Sequence, residues 1–281
     1  MRNFITRTLT ALVYVLLLVS CTIYSPVTSF LFFGFVASAC VIEFCSIVNR
    51  HTKATVVSPI NGMAAFLLVA AMWLQAIGSS SATHMYALYG LVLIYLMVSE
   101  LYRKNEDPLH NLALTFFAQA YIALPFALLP MLSVNQNSET QTPVYSWILP
   151  LVLFAFIWIN DTGAYLSGMS LRKIFTAKLF PSISPKKSWV GSIGGGLLTI
   201  AASIGAFYLF PETFSMWKWM GFAAVVILAG TWGDLVESLI KRQLNIKDSG
   251  SILPGHGGFL DRFDSALLSI PAATIYLCLV A

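Results

Sequence analysis

The chain has 281 residues, of which 58% are hydrophobic, 14% aromatic and only 10% charged, and its mean hydropathy is +0.78. Apolar content on this scale, arranged in runs as long as a bilayer is thick, excludes a water-soluble globular protein and predicts an all-α, polytopic integral membrane protein. A formal net charge of +4 is too small to argue for a nucleic-acid partner, so the position of each charge carries more information than the sum.

Runs of about 20 apolar residues, the length that spans hydrocarbon at a helical rise, predict about nine transmembrane helices. They lie near 8–24, 28–48, 57–78, 83–102, 110–132, 146–167, 189–210, 215–241 and 261–281. The first run follows Arg2 and Arg7 as an export signal would. Tyr24, Ser25 and Pro26 nevertheless turn the chain straight into the next run with no small-residue cleavage site, so it is read as a first span. Cys21, Cys40, Cys45 and Cys278 sit inside apolar runs without metal or disulfide spacing and are read as core residues. The stretch 133–146, SVNQNSETQTPVYS, reads as a solvated, flexible connection. The whole chain, 1–281, is read as a single membrane domain. Its first helices, 1–132, are poor in motifs, and its catalytic half, 146–281, contains the two long loops 168–188 and 242–260.

Lys and Arg accumulate in cytoplasmic loops, which gives a separate test of this layout. With nine spans, the amino terminus and the loops after spans two, four, six and eight share one side. Those segments hold 15 of the 16 basic residues, and only Lys218 falls opposite. The amino terminus and both long loops are therefore expected in the cytoplasm. Chemistry is to be sought between these loops.

Ionisable side chains within spans are costly and normally face a partner or a cavity. Glu43, Glu100, Asp161, Asp234 and Glu237 are of this kind. Asp234 lies about 10 Å below the basic end of its helix at 1.5 Å per residue, and it needs a counter-charge. Glu237 and Lys241 are four apart in the favourable order and read as a helix-end pair. Gly233 allows a ligand or another backbone to approach Asp234 closely. Asp261 and Asp264, three apart at the start of the last span, could simply complement the helix dipole. A pair on one face, with Asp234 on a neighbouring helix, also forms the hard-oxygen set from which Mg²⁺ is held. Between them and the preceding helix, Pro254-Gly255-His256-Gly257-Gly258 could cradle a phosphate, with His256 either a donor to it or an ordinary loop-tip histidine. Lys186 and Lys187 precede Ser188, a candidate N-cap. Adjacent lysines at a helix start suit an anion there, or else are ordinary positive-inside residues near anionic lipid. Asn160-Asp161-Thr162-Gly163 adds a polar cluster at the cytoplasmic end of span six. Carboxylates for a divalent cation, lysines for a polyphosphate and a membrane-level position fit phosphoryl or nucleotidyl transfer to a lipid phosphate.

The 27 residues 238–264, SLIKRQLNIKDSGSILPGHGGFLDRFD, closely resemble the signature of the phosphatidate cytidylyltransferase, or CDP-diacylglycerol synthase, family. Asn160-Asp161-Thr162-Gly163-Ala164-Tyr165, Ser184-Pro185-Lys186-Lys187-Ser188 and Gly233-Asp234-Leu235-Val236-Glu237-Ser238 resemble further motifs of that family. Val190 departs from it, since the family usually has Glu or Gln there. The resemblance implies the reaction of CTP with phosphatidate to give CDP-diacylglycerol and diphosphate, with Mg²⁺ as cofactor. It implies metal binding by Asp234, Asp261 and Asp264, and substrate binding by Lys186, Lys187, Ser188, Lys241, Gly257 and Gly258. Asp161, Asp248, His256 and Arg262 are implied as catalytic members, and a homodimer in a bacterial inner membrane, with its site facing the cytoplasm, is expected. Two other readings stay open at this point. A CTP-dependent lipid kinase of related fold would release CDP, and a transporter of an anionic substrate would place its carboxylates at the membrane midplane.

Overall fold

Hydropathy decides nearly all of the secondary structure. In the computed structural model, which describes residues 2–137, 140, 142–171, 174, 176–250 and 257–280, with side chains from Thr8 onward, each apolar run is helical. The helices are α1 (Arg2–Tyr24), α2 (Pro26–His51), α3 (Ser58–Ala76), α4 (Ser81–Arg103), α5 (Pro108–Ala118), α6 (Leu124–Ser133), α7 (Ile148–Leu171), α8 (Trp189–Leu209), α9 (Met216–Gln243) and α10 (Leu260–Val280). Among the described residues eight helical segments have the length and hydropathy to cross a membrane, α5 and α6 counting as the single segment Pro108–Ser133. The first expected span falls short of the others. Its apolar part is Thr8–Tyr24, about 25 Å at the helical rise against roughly 30 Å of hydrocarbon.

The α1–α2 turn is built as its sequence suggests. The Ser25 hydroxyl accepts the Thr28 amide, the Thr28 hydroxyl accepts the Ser25 amide, and Pro26 occupies the first helical position, where no N–H is needed. The span Pro108–Ser133 is less regular, because residues Gln119–Ala123 form a π-turn. Pro125 has no N–H for the carbonyl four residues back and crowds it, so the ladder widens and the Leu124 amide donates to Gln119 O. The buried Gln119 side chain then donates to Asn61 O (2.9 Å) and Asn61 Oδ1 (2.6 Å) on α3.

Two expected loops carry strands. The connection 133–146 holds an antiparallel pair, β1 (Val134–Gln136) and β2 (Pro143–Tyr145), with Val134 opposite Tyr145. It is not simply solvated, since the Tyr145 hydroxyl donates to Thr22 O (2.6 Å) and its ring lies 5.8 Å from that of Trp73. The loop 168–188 is shortened by α7, which runs on to Leu171. The rest holds β3 (Lys178–Phe180) and β4 (Ser184–Ser188), paired with an irregularity between Lys178 and Phe180.

Chain packing divides the expected single domain into two units. The first runs through Trp147 and takes back Gln243–Phe263; the second is Ile148–Arg242 together with the chain from Asp264. Phe33, Phe44, Phe126, Phe263, Ile122 and Leu129 are fully buried in the first, with Phe263 edge-on to Phe126 at 5.3 Å. In the second, Trp219, Phe222 and Phe154 are fully buried, and α7 packs on α8 through Gly195, whose missing Cβ leaves room for the Asn160 carbonyl. The helices α9 and α10 meet in the same way. A Cβ on Gly233 would stand 2.7 Å from Asp264 O and 3.2 Å from the Cα of Ser265, so the glycine admits a backbone, one of the two approaches read from the sequence.

Candidate active site

In the second unit, close α9–α10 packing brings carboxylates from three helices together. Asp264 on α10 lies within electrostatic range of Asp234 and Glu237 on α9 and of Asp161 on α7. Four like charges repel, and the chain supplies two ammonium groups against them. Lys187 Nζ on β4 reaches Asp234 Oδ2 at 2.7 Å, with the two side chains 23% and 30% exposed. This is the counter-charge that Asp234 requires, and the β3–β4 hairpin is what delivers it. Ser238 Oγ donates to the other Asp234 oxygen at 3.3 Å. Glu237, fully buried, pairs with Lys241 one turn later, as the spacing predicts.

Asp161 is exposed and lies mid-helix, ten residues before the end of α7 rather than near it. Lys186 is exposed on β4. Ser188 caps α8, its Oγ accepting the Gly191 amide at 3.2 Å. Val190 sits in the first turn of α8, which contains no acid.

A separate polar cluster belongs to the first unit. Asp261 Oδ2 accepts two backbone hydrogen bonds, from Ser249 N (2.8 Å) and Gly258 N (2.9 Å), and lies 2.9 Å from Ser249 Oγ. Gly257 adopts φ +79°, a left-handed conformation that glycine permits. Asp248 is exposed, with its Cβ 3.7 Å from where a Gly257 Cβ would stand, and Arg262 is exposed. His256 lies outside the described residues. Sequence reasoning picked out Glu43 as a costly charge but gave it no role. It is 5% exposed, accepts the Phe259 amide at Oε2 (2.8 Å) and the Ser249 hydroxyl at Oε1, and so binds both ends of the signature loop. The only signal in the sequence was an unpaired acid within a span, because Ser249 is 206 residues away.

The expected metal trio is thus distributed, Asp261 in the first unit and Asp234 with Asp264 in the second. Among the described residues no group of three or more His, Cys, Asp or Glu side chains is set to hold a metal ion. The second unit's cluster nonetheless offers hard oxygen donors of the kind a divalent cation takes. Lys187 and Lys241 pair with Asp234 and Glu237, while among the described residues neither Asp161 nor Asp264 has an ion-pair partner.

Several known proteins are similar to this chain over most of its length. The phosphatidate cytidylyltransferase of Staphylococcus aureus (strain COL) is 36% identical over 207 residues, 73% of this chain and 71% of that protein. That of Staphylococcus epidermidis (strain ATCC 12228 / FDA PCI 1200) is 31% identical over 277 residues, 96% of this chain and 98% of that protein. That of Staphylococcus haemolyticus (strain JCSC1435) is 30% identical over the same length. A sequence profile matches residues 5–280, nearly end to end, and by it the chain belongs to the Cytidylyltransferase family.

Proposed function

We propose that the protein is a phosphatidate cytidylyltransferase, converting CTP and phosphatidate to CDP-diacylglycerol and diphosphate in phospholipid biosynthesis. The observation that carries this reading is the end-to-end likeness to relatives of that name, covering 96% of this chain and 98% of the relative. The chemistry suits the residues present. A phosphate oxygen of phosphatidate attacks the α-phosphorus of CTP, a new P–O bond forms, and the bond from the α-phosphorus to the bridging oxygen breaks, its electron pair leaving with diphosphate. Phosphatidate is already ionised near neutral pH, so the protein's task is to align the reactants and offset charge.

Lys186 and Arg262, both exposed cations in the signature motifs, are assigned to the triphosphate. Lys187, held by Asp234, is kept at a defined place for the same anion. Asp234 and Asp264, with Asp161 beside them, are the residues we assign to Mg²⁺. When bound, Mg²⁺ would offset phosphate charge and orient the leaving group. Asp248, His256, Gly257 and Gly258 are assigned to the remaining contacts with substrate. We further assign the enzyme to the inner membrane as a homodimer with its site on the cytoplasmic side, which rests on the distribution of Lys and Arg and on the family.

The test follows the products. Purified protein given phosphatidate and CTP labelled in the cytidine is expected to form labelled CDP-diacylglycerol and one diphosphate for each. Release of CDP with a phosphorylated lipid would establish a kinase and overturn the reading.

A further inference from the structure

Glu43 itself has no part in the reaction as described above, yet it binds the most polar segment of the chain. Glu43 is the acid of α2, within a helix whose neighbouring positions Val41, Phe44, Cys45 and Ile47 are buried. A carboxylate in such surroundings is retained only if donors replace the water it has lost. It receives them from both sides of the signature loop, the Ser249 hydroxyl before it and the Phe259 amide after it. The Phe259 amide lies at the entrance to α10, where backbone N–H groups lack helical partners and a negative charge is favoured. The Ser249 amide donates to Asp261 in the first turn of α10, the Ser249 hydroxyl lies between the two carboxyl groups with one hydrogen to share, and Asp261 gathers the Gly258 amide. The fit leaves no slack, since a Cβ on Gly258 would overlap the Glu43 carboxylate.

We infer that Glu43 is a positioning residue for the cytidylyltransferase reaction: from the second helix it clamps Ser249 and Phe259 and thereby sets Gly258 and Asp261 where the signature loop enters α10. The inference rests on the function proposed above. The clamp works through hydrogen bonds and not through net charge. In Glu43→Gln the amide oxygen can accept the Phe259 N–H, while the amide NH₂ donates to Ser249 Oγ, whose own proton then goes to Asp261. Glu43→Ala loses both contacts.

The experiment compares full-length wild type, E43Q, E43A and G258A in detergent–lipid micelles. Folded protein is quantified by gel filtration, CDP-diacylglycerol formation is followed at varied CTP, and hydrogen–deuterium exchange is measured over residues 257–263. Per folded protein, E43A is expected to lose about 100-fold in kcat, the effect of misplacing reacting groups by about an ångström, while KM for CTP changes by less than about threefold. E43Q is expected to stay within about fivefold of wild type, because its hydrogen bonds are remade. Exchange over 257–263 should rise in E43A and remain slow in E43Q. G258A presses on the same contact from the loop, so exchange over 257–263 should rise in it as well, and this readout tests the clamp if E43A does not fold. Wild-type kcat in folded E43A, or E43Q as poor as E43A, would overturn the inference. Inactive wild type would instead remove the functional reading, and the exchange data would still decide whether Glu43 holds the loop.

Discussion

Replacing Lys187 by Met keeps the length of the side chain and removes its charge, which isolates the Lys187–Asp234 ion pair. At 2.7 Å the gross Coulomb attraction is about 6 kcal/mol with an effective dielectric constant of about 20. Desolvation cancels much of this. Fully exposed pairs keep about 0.2–1 kcal/mol, whereas breaking a buried pair costs about 3–5 kcal/mol. With side chains 23% and 30% exposed, Lys187→Met is expected to cost about 2 kcal/mol. Asp234→Asn is expected to cost less, about 1 kcal/mol, because Lys187 still lies within electrostatic range of Asp161. The asymmetry follows from the cluster, since among the described residues loss of Lys187 leaves Asp161, Asp234, Glu237 and Asp264 with Lys241 as the remaining paired cation. Thermal unfolding followed by tryptophan fluorescence suits this unit, which contains Trp158, Trp189, Trp217, Trp219 and Trp232. A cost of about 2 kcal/mol corresponds to a fall in Tm of about 4–8 °C. The double variant should lose less than the sum of the two single changes. Strict additivity, or Lys187→Met as stable as wild type, would refute the assignment of a stabilising pair.

Two further outcomes are expected. Gly195→Ala would set a methyl group on the Asn160 carbonyl and destabilise the α7–α8 contact by about 1–3 kcal/mol, whereas Gly196→Ala, with its nearest neighbour at 3.5 Å, should leave Tm unchanged. Equal effects of the two would show that α7 and α8 do not pack in this way. Removal of divalent cations with EDTA should abolish turnover and added Mg²⁺ restore it, and Asp264→Asn should raise the Mg²⁺ concentration for half-maximal activity by about tenfold or more. An unchanged Mg²⁺ requirement in that variant would exclude Asp264 as a ligand.

The sequence by itself determined what local chemistry determines. Hydropathy with a helical rise set the spans to within a few residues, because lipid requires every backbone group to be paired within its own segment. Single-turn relations followed from spacing, as in the Ser188 cap and the Glu237–Lys241 pair. The polar and glycine positions of residues 238–264 identified the chemistry before any fold was known. Only the tertiary structure decided which distant groups meet. Nothing local to Asp234 names Lys187, whose approach depends on a hairpin too short and polar to be read as strands. Nothing local to Glu43 names Ser249 or Phe259, and the π-turn at Gln119–Ala123 hides within an apolar run that reads as plain helix. A buried charge announces from sequence that it must have a partner, because isolation in an apolar medium is prohibitive. Which partner it takes depends on the packing of helices far apart in the chain, and that is set by side-chain volumes and missing Cβ atoms such as those of Gly233 and Gly258.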